Sequence, residues 1–169
     1  MLEEKRNDIE NMLRKIIIRY SDYLLWWPYF SDKSEIVLSS ILTQNTNWSN
    51  VVKSLKGIIS YLGNAKLDGV CNLDETTLRM LIKPSGFYTS KARVILETCK
   101  LFQKMGGFLR VKNFFYSLMF SKSSLSGIRN EIDKFRSRLM TIKGIGKETA
   151  DSILLYSFDL PSFVIDTYT

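Results

Sequence analysis

Histidine is absent from this 169-residue chain. With it go the commonest metal ligand, the commonest general base, and every Ser–His or Cys–His nucleophile pair. Cysteine occurs twice, at Cys71 and Cys99, too few for a four-thiolate zinc or iron–sulfur site within the chain. Three prolines and nine glycines are too few for collagen, for a flexible linker or for a turn-rich all-β fold. The longest uncharged run, Ile36–Val52, carries Ser, Thr, Gln and Asn and is too polar to span a bilayer. Met1–Glu10 is charged throughout and has no apolar core of the kind a secretory signal needs. These absences point to a soluble, intracellular protein with reduced thiols. No run alternates with period two for long enough to build a sheet, and there is no internal repeat or low-complexity linker.

What is present is ordinary globular composition, 45% hydrophobic and 24% charged, at a length that fits about one domain. Acidic residues are the scarcer sign: 17 against 24 Lys plus Arg, a net charge of +7. That excess suits a polyanionic partner, or solubility alone.

The apolar pattern is helical nearly throughout. Ile9, Met12, Leu13, Ile16, Ile17 and Tyr20 fall at three- and four-residue steps, one helix face. Asp32 with Glu35 reads as a capping box opening a helix through Gln44. Thr46 or Asn47 caps the next, which turns Val51, Val52, Leu55, Ile58, Ile59 and Leu62 inward. Asp74 caps a short helix that Pro84 stops. Further helices are predicted at about 90–104, 111–120, 128–140 and 147–158. The fold class is all-α, with about eight helices.

One stretch carries chemical information. A helix ends near Met140, the turn Ile142-Lys143-Gly144-Ile145-Gly146 follows, and a new helix starts near Lys147. Glycines flanking an aliphatic residue let the backbone take positive φ and approach another chain closely. The turn feeds a helix N-terminus, where unpaired N–H groups and the positive dipole end suit a phosphate. Five cations and no anion lie from Lys134 to Lys147, and eight cations face only Glu97 between Arg79 and Lys112. An ordinary corner between helices with a solvated face is the competing reading. Downstream, Phe163-Val164-Ile165 precede Asp166, a carboxylate on an apolar, non-helical segment. Partial burial there would raise its pKa or demand hydrogen bonds. A simple N-cap role is equally open to it.

The segment KGIGKETADSILLYSFDLPSFVIDTYT resembles the helix-hairpin-helix signature and catalytic loop of the endonuclease III superfamily of DNA glycosylases. Leu42-Thr43-Gln44-Asn45-Thr46 resembles its early helix. Trp26-Trp27-Pro28 and Lys83-Pro84-Ser85-Gly86-Phe87-Tyr88 are similar to the bacterial 3-methyladenine DNA glycosylase group. The resemblance implies a six-helix barrel lobe and an incomplete second lobe. Residues 1–31 would belong to the second lobe. Residues 32–158 would form the barrel lobe with its hairpin at 142–146, and 159–169 the catalytic loop and the start of the return. Family members have further helices after the catalytic Asp, so the resemblance also implies a C-terminally truncated chain.

The same resemblance implies roles. Asp166 would be the catalytic carboxylate. Gln44, Asn45, Lys143, Gly144, Ile145, Gly146, Lys147 and Thr149 would contact DNA. Trp27, Pro28 and Trp48 would sandwich the flipped base, and flat, electron-poor alkylated purines suit such stacking. Core packing is the competing reading for the tryptophans. Where lyases of the superfamily carry a nucleophilic Lys, eighteen residues before the Asp, this chain has Glu148. Lys147 is turned away by about 100° on a helix. The implied activity is monofunctional base excision from double-stranded DNA containing a damaged base, inside the cell (cytoplasm or nucleoid). No cofactor, membrane or protein partner is expected. A structural Na+ or K+ on the backbone carbonyls of Met140, Ile142 and Ile145 is implied, and no iron–sulfur cluster. The Lys that follows the Asp in the 3-methyladenine group is Thr167 here. Another base, such as uracil, thymine or an oxidised pyrimidine, therefore stays open. So do a non-catalytic hairpin DNA-binding module, an inactive truncated glycosylase, and a helical protein with a chance hairpin.

Overall fold

In the computed structural model, which describes residues 2–19, 32–121 and 124–166, helix follows helix with no strand among the described residues. The elements are α1 Leu2–Arg19, α2 Ser34–Leu42, α3 Trp48–Leu62, α4 Leu67–Val70, α5 Glu75–Leu81, α6 Tyr88–Lys104, α7 Phe108–Met119, α8 Leu125–Met140 and α9 Lys147–Ser152. Caps chosen by the sequence start several of them. The Asn47 side chain accepts the Asn50 N–H at 3.1 Å, Asp74 accepts that of Thr77 at 2.9 Å, and Ser124 accepts that of Gly127 at 3.2 Å. Each satisfies an N–H that has no partner within its helix. Asp32 accepts the Ser34 N–H at 2.8 Å at the start of α2, and Glu35 of its first turn is buried.

All nine residues of α2 are buried. A helix buried on every side belongs in the middle of a fold. Here α3, α4, α6, α9 and the turn after α9 pack around it. Val51, Leu55 and Ile58 of α3 and Ala92, Ile95 and Cys99 of α6 join this core. In the same core, Phe102, Phe108, Phe115, Phe135 and Phe158 pack together. Phe102 and Phe158 stack at 5.9 Å, and Phe108 lies 4.9 Å from Phe158. Phe158 thereby anchors the chain just beyond α9 to α6, α7 and α8.

Three details depart from the sequence pattern. The four-residue α4 was not foreseen, because periodicity needs more residues than one turn supplies. Lys83–Ser85 is a 3-10 turn after α5, with Pro84 inside it. The last predicted helix, 147–158, is α-helical only to Ser152. Ile153–Ser157 continues as a π-helix, and the Leu160 N–H reaches back to the Leu154 carbonyl at 3.0 Å. The described side chains of α1 are exposed, including Met12 and Ile18. The side chains of Ile9, Leu13, Ile16 and Ile17 lie outside the described residues, as does Tyr20. No helix among the described residues is long and apolar enough to cross a membrane.

The expectation of reduced thiols is corrected. Cys71, just after α4, and Cys99, on the inner face of α6, form a disulfide with Cα atoms 5.3 Å apart. The expectation rested on compartment alone, and nothing in the sequence says that the two helices meet. The bridge closes a loop with a sequence separation of 28. In the chain-entropy account such a closure stabilises by about 3–4 kcal/mol, and each kcal/mol moves the Tm of a chain this size by roughly 2–4 °C. Cys99→Ser is therefore expected to lower the Tm by about 10 °C. Thiol titration of the denatured, unreduced protein should return no free thiol, and two after reduction. Two free thiols before reduction would show the bridge is not formed.

Candidate functional site

Met140 closes α8, Thr141–Gly146 form the turn, and Lys147 opens α9. The turn is pinned from beneath: Ile142 and Ile145 are buried, and the Ile145 N–H donates to the Ile142 carbonyl at 2.9 Å. Ile145 thus presents only backbone outward. The two glycines differ, which corrects the expectation that both use positive φ. Gly144 has φ +110, and a Cβ there would meet Val94 Cγ2 at 2.6 Å. Gly146 has φ −88 and ψ −176, extended backbone open to any residue, and a Cβ there meets nothing within 4 Å.

Gln44 joins the early helix to this turn. Its Nε2 donates to the Gly144 carbonyl at 2.9 Å and to Thr149 Oγ1 at 2.9 Å. Two motifs a hundred residues apart in the chain are therefore one local structure. Thr149 is buried beneath them. Beside them is a hollow of about 300 Å³ lined by Gln44, Asn45, Phe87, Arg93, Lys143 and Gly144 among others. On its rim two non-glycine residues hold left-handed backbone, Asn45 at φ 51 and Phe87 at φ 46. Phe87 is 68% exposed. A large exposed aromatic on strained backbone is the kind of feature that persists only where the surroundings impose it. Nothing in the residue order of 83–88 shows this exposure or φ.

Two of the cations counted in the sequence are not surface charges. Lys91 is buried, with Nζ donating to the carbonyls of Leu42 at 2.8 Å and Ser85 at 2.7 Å. Burial pushes its pKa down to about 8. Lys91 ties α6 to the end of α2 below the hollow. Arg136 is held by Asp151 through Nε and Nη2, both at 2.7 Å. Lys143 and Lys147 are exposed.

Asp166 is half-buried at the end of a segment whose exposure alternates from Pro161 onward, as in extended chain. Glu148 is exposed in the first turn of α9. Lys147 lines a groove of about 780 Å³ with Asp151, Leu154, Phe163 and Ile165. Trp48 opens α3, half-buried and packed against the core edge. Trp27 and Pro28, like Thr167, lie outside the described residues. Met140, Ile142 and Ile145 follow one another around the hairpin. Met140 is the last residue of α8, so its carbonyl falls at the end of the helical ladder.

Residues 38–169 match the profile of HhH-GPD superfamily base excision DNA repair proteins. The chain belongs to the HhH-GPD superfamily. It is 34% identical over 170 residues to a Methanocaldococcus jannaschii protein that carries the name of a DNA repair glycosylase, covering 99% of this chain and 70% of that protein. It is 26% identical over 132 residues to endonuclease III of Sulfolobus acidocaldarius, covering 78% of this chain and 51% of the relative. The fold is similar to Helicobacter pylori 3-methyladenine DNA glycosylase bound to 1,N6-ethenoadenine, with a TM-score of 0.70, 26% identity, and coverage of 95% of this chain and 68% of that one. It is also similar to an endonuclease III trapped covalently on DNA, with a TM-score of 0.63, 18% identity and 95% and 64% coverage. That second likeness speaks to fold alone. The all-α reading stands.

Proposed function

We propose that this HhH-GPD chain is a monofunctional DNA glycosylase that hydrolyses the N-glycosidic bond of an alkylated purine flipped out of duplex DNA. The observation that carries it is the convergence of the Gln44 loop, left-handed Phe87 and the Lys143–Gly144 turn on one hollow. The hairpin backbone and its lysines hold phosphate, which positions the duplex without reading sequence. Asn45 and Phe87, on the rim of that hollow, are the side chains to fill the stack left by an extruded nucleotide. Gln44 braces the hairpin through Gly144 and Thr149. Asp166 stabilises the oxocarbenium-like sugar and orients a water, as carboxylates do in glycoside hydrolysis. Glu148 at the lyase position leaves no amine to attack the sugar, and Lys147 faces the groove. With DNA as substrate, the site of action is inside the cell.

The carbonyls of Met140, Ile142 and Ile145 suit a hard monovalent cation. Ile142 already accepts one N–H and keeps a second lone pair. Such an ion would add positive charge at the phosphate contact and take no part in bond cleavage.

The test is mass spectrometry of bases released from methylated DNA by the chain. Release of methylated purines is expected, and borohydride should trap no protein–DNA adduct. DNA binding with no released base would support a non-catalytic module instead. An adduct lost in Lys147→Ala would overturn the monofunctional assignment.

Trp48 gives a further check. Stacking on one aromatic face contributes roughly 1–3 kcal/mol, and about 1.4 kcal/mol is tenfold in rate. Trp48→Ala is expected to slow single-turnover release of methylated purine about tenfold or more, with undamaged-duplex affinity unchanged. A fall in Tm with both activities declining together would mark Trp48 as core packing.

A further inference from the structure

A part-buried triad of an ion pair and a serine sits between the hairpin and the segment that ends at Asp166. Asp151, on the second turn of α9, has a side chain only 9% exposed. Arg136 of α8 grips both carboxylate oxygens, Nε on Oδ1 and Nη2 on Oδ2, each at 2.7 Å. Such a bidentate pair fixes orientation as well as charge. Asp151 Oδ1 also accepts the Ser162 hydroxyl at 2.7 Å. Burial pushes the Asp151 carboxyl upward, but the hydrogen bonds from Arg136 and Ser162 together with the positive charges of Arg136 and Lys147 outweigh it and hold it below the usual carboxylate range. The acceptor for Ser162 is therefore ionised at neutral pH.

Ser162 matters because of where it stands in the segment. Leu160 is buried and anchored by its N–H to Leu154. Pro161 has no N–H to offer. From there Ser162, Val164 and Asp166 are half-buried while Pro161, Phe163 and Ile165 are exposed. In extended chain, alternate residues share a face, and a slip of one residue exchanges the faces. Fixing the Ser162 side chain on Asp151 therefore fixes which way Asp166 is presented, four residues on.

We propose that Arg136, Asp151 and Ser162 form a clamp that positions Asp166 relative to the hairpin, an inference that rests on Asp166 being the carboxylate of base excision. Ser162, Asp151 and Arg136 are positioning residues and touch no reacting atom. The clamp ties the element proposed to hold phosphate to the segment proposed to carry out the chemistry, so a bound duplex meets both in one geometry.

The experiment compares the wild-type chain with Ser162→Ala, Ser162→Thr and Asp166→Asn. The readouts are single-turnover release of methylated purine from methylated DNA, affinity for undamaged duplex, Tm, and hydrogen–deuterium exchange of the peptide spanning 160–166. Ser162→Ala is expected to slow release about tenfold or more. Duplex affinity and Tm should stay at wild-type values, and exchange at 163–166 should quicken. Ser162→Thr, which keeps the hydroxyl, should restore both rate and protection. If Ser162→Ala releases base at the wild-type rate, or if exchange at 163–166 is unchanged, the clamp is overturned. The same holds if release, binding and Tm fall together, because the triad would then serve stability alone. If Asp166→Asn retains full release, it is the assignment of Asp166 that fails, and exchange in Ser162→Ala still reports whether the segment is held.

Discussion

Gly144→Ala is expected to lower the Tm by about 10 °C, and Gly146→Ala to leave it within a degree or two. The backbone at Gly144 sits at φ +110, where a Cβ costs roughly 1–2 kcal/mol per residue. The added methyl would also stand 2.6 Å from Val94 Cγ2, on a buried side chain of α6. Forcing extra volume into such a contact costs about 1–3 kcal/mol more. At roughly 2–4 °C per kcal/mol the sum reaches about 10 °C. Val94→Ala in the Gly144→Ala background should recover the steric part and not the backbone part. At Gly146 neither cost applies, because the backbone is extended and the space is open. If the hairpin lies against a phosphate, Gly146→Ala should weaken binding to damaged and undamaged duplex by similar factors. Differential scanning calorimetry and fluorescence anisotropy on a labelled duplex separate the two. A Gly144→Ala protein with wild-type Tm would mean that the turn relaxes freely. A Gly146→Ala loss confined to damaged DNA would mean that the hairpin reads the lesion.

Asp166→Asn is expected to cut release of methylated purine by about a thousandfold, the order lost when a group aimed at developing charge is removed. The amide keeps the carboxylate's shape and loses its charge, so it neither stabilises the positive sugar nor takes a proton from water. Undamaged-duplex affinity should not fall, since phosphate contacts carry most of it. Removing a negative charge near the DNA, if anything, raises it. Gel quantification of abasic sites over time measures the rate, and anisotropy the binding. Retention of more than a tenth of the wild-type rate would move the chemistry to another residue.

Much of the fold is legible in the residue order. The period of apolar residues in 51–62 and 90–104, and the caps at Asn47 and Asp74, are local signals that operate within one or two turns. The structure repeats them nearly residue for residue. Local signals failed where the outcome depends on neighbours distant in the chain. The π-helical turn at Ile153–Ser157 lies in a stretch held by α2 on one side and by the Phe158 cluster beyond it. Lys91 and Arg136 read as surface charge in a count of cations, yet one supports carbonyls of two elements and the other is consumed by Asp151. The pair Cys71 and Cys99 read as reduced because pairing depends on helix packing, which composition does not encode.

For the site the division is similar. The residue order by itself determined the hairpin, its glycines, its lysines and the place of Asp166 behind an apolar segment, because turn chemistry and helix stops are written in consecutive residues. Tertiary structure alone decided that Gln44 braces Gly144 and Thr149, and that Phe87 stands exposed on strained backbone at the same hollow. It also decided that Gly144 and not Gly146 is sterically obligatory, and that Ser162 is tied to Asp151. Each of these is a contact between segments that meet only after α2 is enclosed by its neighbours, so their energies appear on packing and have no counterpart in the local chain.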